Sequence, residues 1–149
     1  MKYPITDIFT VLVDETKTVE NLFLEGKFKS GSWSSAFNSK NFPCPSDGGI
    51  SEKEVVLFHF EKDMTSDEVI AEMDKHYCRP ATIQEFLSLV VAQPNIHKLG
   101  FSIITLGSRS LAPEKTFPFF NENWEGCRSL FQASAPVWYD KYRFVGVRK

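Results

Sequence analysis

The chain has 149 residues, one domain's worth, and can bury roughly 68 to 70% of the surface its unfolded form exposes. Its 42% hydrophobic and 24% charged residues exclude collagen-like, coiled-coil and wholly disordered classes. A net charge of -2, from 17 basic and 19 acidic side chains, argues against nucleic-acid binding by bulk electrostatics.

Charge is nevertheless unevenly placed. Residues 51–76 carry eight acidic and three basic side chains, whereas residues 109–149 carry seven basic and four acidic, an asymmetry that solvated faces ordinarily produce. The aromatic content is heavy in phenylalanine, with 14 Phe beside 4 Tyr and 3 Trp. Such rings can fill a dense core, since each buries about 150 to 250 Å². The opening MKYPITDIFTVLVDE has a short apolar run broken by Asp7 and no small-residue cleavage site, so no signal peptide is expected. No apolar stretch approaches the roughly 18 residues a membrane span requires. Cys44, Cys78 and Cys127 are odd in number and widely spaced, which fits a reducing cytoplasm better than a disulfide framework.

In chain order, Ile5 to Val13 is expected to form a strand, and Thr18 to Gly26 a short helix closed by a glycine cap. Residues 30–53, rich in Ser, Asn, Gly and Pro, read as a long irregular connection pinned by Trp33, Phe37 and Phe42. Val55 to Phe60 is apolar on both alternating faces apart from His59, as an interior strand would be. Thr65-Ser66-Asp67-Glu68 has the form of a capping box and starts a helix whose apolar stripe is Val69, Ile70, Met73 and Tyr77. Arg79-Pro80 ends that helix, because the residue before proline is pushed out of the helical region. A second box, Thr82-Ile83-Gln84-Glu85, opens the next helix, with Ile83, Phe86, Leu87, Val90 and Val91 as its buried face. Gln93-Pro94-Asn95 closes it. FSIITL before Gly107, Thr116 to Phe120, Arg128 to Gln132 and Tyr142 to Val147 are strand candidates between turn-rich stretches. The fold class is therefore α+β, a single domain of two capped helices packed on a twisted, mainly antiparallel sheet with long loops.

The succession VVLFHF, TSDEVIAEMDKHY and CRPATIQEFLSLVV resembles the strand, helix and second capped helix of the C-type-lectin-like fold in its bacterial form. Formylglycine-generating enzymes and the variable proteins of diversity-generating retroelements share that form. There a basic residue and Pro-Thr open the second helix, followed by an acidic and an aromatic residue; Arg79-Pro80-Ala81-Thr82 with Glu85-Phe86 looks like a variant. The final Tyr142 to Arg148 is similar to the Gly-Phe-Arg strand that ends those domains, and the matches cover about a third of the chain. HF, TSDEV, RPAT, LGS and RFVGVRK in this order also resemble a family of small bacterial proteins, which brings no activity with it. Both resemblances are analogies of fold. Cys127 has no cysteine near it, so the paired-cysteine oxidase chemistry of the formylglycine-generating enzymes is not carried over. Gln93-Pro94-Asn95 looks like the calcium and sugar tripeptide of animal lectins, but it falls at a helix end and no Trp-Asn-Asp partner follows.

His59, His76 and His97 have simpler roles as a strand, helix-end and loop histidine, and His76-x-Cys78 has no second pair to complete a metal site. The chain contains no Gly-x-Ser-x-Gly elbow and no Gly-rich phosphate loop, so neither a catalytic residue nor a cofactor is assigned. Asp63, Asp67, Glu68 and Asp74 suit a helix start better than acid–base chemistry.

The C-terminal third offers Arg109, Ser110, Asn121, Asn123, Trp124, Arg128, Gln132, Trp138 and Tyr139, a set rich in the residue types that concentrate binding energy when exposed. Trp124 and Trp138 are equally eligible as core residues. The favoured expectation is a non-enzymatic recognition module that presents residues 108–141 to a protein or glycan ligand, with ligand-binding residues Arg109, Ser110, Asn121, Asn123, Trp124, Trp138 and Tyr139. It involves no nucleic acid, membrane or metal. The alternative is a small cytoplasmic enzyme, or a phage or mobile-element accessory factor, with a cleft between the helices and residues 30–53.

Overall fold

Side-chain alternation along Ile5–Asp14 sends Phe9, Val11 and Val13 inward and Thr6, Ile8, Thr10 and Leu12 outward, and this segment is strand β1 of the computed structural model. The structure describes residues 4–28, 40–42, 49–108, 116–122, 126 and 128–149. Helix α1 (Val19–Glu25) begins as the sequence predicts, with the Thr18 hydroxyl accepting from the Asn21 amide at 3.1 Å. Its end has a different chemistry from the expected left-handed glycine cap. Gly26 stays right-handed at φ -70°, and Lys27 takes the positive φ of 54°. Glycine suits position 26 because a Cβ there would strike the Phe28 ring.

Strand β2 (Ile50–Phe58) starts inside the expected connection, since β1 is long enough to template it from Ile50 opposite Asp14 to Phe58 opposite Ile5. Phe42 is buried in the core as an anchor, whereas Trp33 and Phe37 lie outside the described residues. Val55 to Phe58 are fully buried because β2 has a strand on each side, β1 and β7 (Arg143–Arg148), and cover on both faces.

Helix α2 (Ser66–Lys75) has its capping box: the Glu68 amide donates to the Thr65 hydroxyl at 3.2 Å, and the Thr65 amide donates to Glu68 Oε1 at 3.0 Å. Its buried stripe is narrower than the sequence predicts. Val69 and Met73 are buried, Ile70 reaches solvent, and Tyr77 lies beyond the helix end in a left-handed conformation, 77% exposed. The next residues form an unforeseen short strand, β3 (Cys78–Pro80), on β7. Helix α3 (Ile83–Ala92) also has its box, yet is buried over a wider arc that includes Gln84, Glu85, Ser88 and Leu89, while Val91 is exposed. It packs against both β1 and α1, which covers two of its sides.

A 3-10 turn at Ile96–Leu99 leads to β4 (Ile103–Ile104), far shorter than the apolar run FSIITL. The Thr105 amide still donates to the Pro118 carbonyl of β5 at 3.1 Å, and the chain then turns away where Gly107 packs on the backbone of Ala81. The Gly107 amide donates to the Ala81 carbonyl at 3.0 Å, and a Cβ at 107 would collide with that carbonyl. Strands β5 (Phe117–Glu122) and β6 (Arg128–Ala133) follow as a hairpin, and β7 returns to the centre.

The fold is α+β. The described strands form an open sheet in the order β1-β2-β7-β4-β5-β6, with β3 also paired to β7. Only the β4–β7 pair is parallel. One face, with Val11, Val55, Leu57, Val145 and Val147, packs on α1 and α3; the other, with Val56, Phe58, Ile104 and Phe144, packs on α2 and Trp138. Among the described residues no helix is long and apolar enough to cross a membrane.

Both N-caps are testable. Thr65→Ala and Thr82→Ala should each lower stability by about 1 kcal/mol, read as a shift in urea midpoint. Unchanged midpoints would mean that the hydroxyls carry no capping role.

Candidate functional site

The segment between β6 and β7, residues 134–142, is fastened to the start of α2 by a short bridge. The Met64 amide donates to the Trp138 carbonyl at 3.0 Å, and the Trp138 amide donates back to Met64 at 2.8 Å. Extended geometry alternates side chains, so Trp138 turns inward while Val137 and Tyr139 turn outward. Trp138 is 2% exposed; its Nε1 donates to Ser66 Oγ at 2.8 Å, and its ring meets those of Phe117 and Tyr142 edge to face.

Two further bonds hold the tip. The Asp140 amide donates to Asp63 Oδ1 at 3.1 Å, and His59 Nε2 lies 2.6 Å from the Asp140 carbonyl. A carbonyl only accepts, so the imidazole donates through Nε2. His59 is thereby committed to shaping the loop. What the tip presents is Tyr139, 59% exposed, with Val137, Pro136, Asp140 and Lys141 also in solvent. Tyr139 leans on Tyr142 at 6.2 Å between ring centroids, and the Lys141 ammonium lies 5.8 Å from the centre of the Tyr142 ring. An aromatic, an aliphatic and a cation on a pre-shaped loop form a small contact surface whose ordering cost is met within the fold.

The other residues singled out from the sequence are distributed differently. Trp138 corrects the expectation of a displayed ring: it is core, and it holds Tyr139 in place. Asn121 is half-buried on β5, where its Oδ1 has no hydrogen-bond partner among the described residues and it lines a hollow of about 150 Å³ with Gly100, Phe101 and Ser102. It sits four residues along β5 from Phe117, the strand's contact with Trp138, which is about 13 Å. Asn121 on β5 therefore lies apart from the loop that carries Tyr139. Arg109, Ser110, Asn123 and Trp124 lie outside the described residues.

A larger cleft, about 480 Å³, opens where β2, β3 and α3 meet, lined by Glu15, Lys53, Arg79, Thr82, Glu85 and Gly107 among others. Its wall is an ion-pair network. Arg79 grips Glu85 with two nitrogens at 2.8 and 2.6 Å, and Lys53 reaches Glu85 at 2.9 Å and Glu15 at 3.1 Å. The Thr82 amide adds a bond at 2.8 Å. Burial alone would raise the Glu85 pKa, but these donors outweigh it and hold the carboxyl at about 2. The capping box and the Arg-Pro pair announced Glu85 in the sequence; that Lys53 from β2 completes its shell was not readable there.

Cys78 is buried beneath α2 and burial pushes its thiol pKa up, which disfavours the nucleophilic thiolate. His97 is buried, and desolvation together with the nearby Arg128 and Lys98 lowers its pKa. Neither His59 nor Cys78 lines the cleft. Among the described residues no group of three or more His, Cys, Asp or Glu side chains could hold a metal ion. Comparison of the chain with protein-family models, with curated proteins and with solved structures gives no match.

Proposed function

We propose that the chain is a non-enzymatic recognition module on a C-type-lectin-like scaffold, of the kind found in formylglycine-generating-enzyme-type domains and retroelement variable proteins, and that its C-terminal loops bind a protein or glycan. The observation that carries this reading is the tip at residues 134–142, where Trp138, Asp63 and His59 fix the backbone from beneath and leave Tyr139 exposed. Rigid support under a displayed tyrosine is the arrangement that turns contact area into affinity, because little side-chain and loop entropy is lost on binding. The scaffold reading draws support from the order β2, α2, α3 and from the last strand, which returns to pair antiparallel with β2. Arg109, Ser110, Asn123 and Trp124 are the further contact residues of the proposal.

Glycan and peptide arrays probed with the labelled chain, followed by Tyr139→Ala on each ligand found, test it. The variant should keep its melting temperature and lose about 2 kcal/mol of binding, roughly thirtyfold in Kd. Equal binding by the variant, or no ligand on either array, would overturn the reading.

A further inference from the structure

Strand β1 ends the sheet: it is hydrogen-bonded to β2 on one side and, among the described residues, has no strand on the other. A free edge presents a row of unpaired amides and carbonyls, and stable proteins usually blunt it with a short strand, a lysine, a proline or a strong bulge. β1 has ten residues, from Ile5 to Asp14, with no Lys, Arg or Pro among them, and its one register irregularity is confined to the Ile5/Asp7 end. Its outward face is also apolar where it need not be. Ile8 is 49% and Leu12 66% exposed, and Ile50 on β2, on the same face, is exposed beside them.

The identity of the partner follows from symmetry. Two copies of one edge strand can lie side by side antiparallel only about a two-fold axis normal to the sheet, which keeps the two outward faces in line and pairs even-numbered with even-numbered residues. With the axis at Thr10, Ile8 of one copy faces Leu12 of the other, Phe9 faces Val11, Thr6 faces Asp14 and Asp7 faces Val13. Each exposed aliphatic then meets the other, and neither acid of the strand meets an acid. Moving the axis to Phe9 or Val11 breaks this match: Leu12 then faces Thr6 or Ile8 faces Asp14, and Ile8 or Leu12 faces Thr10. We infer that β1 is a self-complementary docking edge, and that a second copy of this chain adds to it so that one sheet runs through both. The interface is of the small, strand-mediated kind, so dissociation falls in the micromolar range.

Sedimentation velocity on the purified, reduced chain from low micromolar to sub-millimolar concentration should show a monomer–dimer equilibrium. Leu12→Lys and Ile8→Lys should each weaken it at least tenfold while leaving the melting temperature of the monomer unchanged, since both side chains are solvent-exposed there. The register has its own readout. After removal of reductant and addition of oxidised glutathione as the oxidant, Thr10→Cys, which brings a thiol opposite its own copy at a Cβ separation of about 4.5 to 5.5 Å, should form a reducible covalent dimer at least tenfold faster than Thr6→Cys, whose counterpart is Asp14. The unmodified chain, with its three cysteines, sets the background rate. A monomer at every concentration, a dimer indifferent to Leu12→Lys, or equal cross-linking at positions 6 and 10 would each overturn the proposal.

Discussion

Replacing Glu85 with alanine is expected to destabilise the protein by about 3 to 5 kcal/mol, the size of effect seen when one partner of a buried charge cluster is removed. Glu85 is 1% exposed and satisfies Arg79, Lys53 and the Thr82 amide at once. Its loss removes the half of the α3 capping box that serves the Thr82 amide and leaves two cations without their shared anion. The same residue sets a pH dependence. The folded pKa, about 2, lies below the ordinary 4.5, so the stabilisation is fully present above 4.5 and is lost as pH falls through about 2. The displacement corresponds to about 3 kcal/mol across that window. Urea midpoints from neutral pH to pH 2 should fall steeply for the wild type and more gently for Glu85→Gln, which keeps the shape of the side chain without its charge. Parallel pH curves for the two proteins would show that another carboxylate governs acid stability.

Trp138→Ala is the second large effect. A fully buried aromatic truncated to alanine costs about 3 to 5 kcal/mol, and here the Ser66 hydroxyl also loses its donor and Phe117 and Tyr142 lose a packed ring. Trp138→Phe keeps most of the packing and removes only the Nε1 bond, so about 1 kcal/mol is expected. Calorimetric melting separates the two variants. A Trp138→Ala protein that melts like the wild type would place the ring outside the core and return it to the list of contact residues. Tyr139→Ala, one residue away, should behave in the opposite manner, leaving stability intact and removing binding.

The neighbouring pair Trp138 and Tyr139 marks the limit of what the sequence conveys. Both look equally suited to a binding surface. Alternation predicts only that they face opposite sides, and which side is core depends on the bridge to Met64, 74 residues away in sequence. Glu85 is a similar case. The capping box identifies it locally, but its burial and its depressed pKa come from Lys53 on β2 and Arg79 on β3, which assemble only when the sheet forms.

By itself the sequence determined the elements whose signals are local. The two capping boxes start α2 and α3 at the predicted residues, because side chains three apart satisfy the first free amides with no help from elsewhere. Val55 to Phe60, apolar on both faces apart from His59, reads as an interior strand and its first four residues are the buried end of β2, and the strand expected at Tyr142 to Val147 is β7, shifted by one residue. The tertiary structure decided everything that needs a partner. β3 exists because β7 lies beside it, and the chain turns off β5 just after Thr105, where Gly107 is drawn onto the backbone of Ala81. The end of α2 leaves Tyr77 in solvent although its spacing places it on the apolar stripe. The order of the strands, which makes β1 an edge and β2 an interior strand, comes from β7 inserting between β2 and β4 at the end of the chain. Local hydrogen bonds and side-chain periodicity are written in neighbouring residues, whereas pairing, burial and charge compensation depend on groups that only the folded chain brings together.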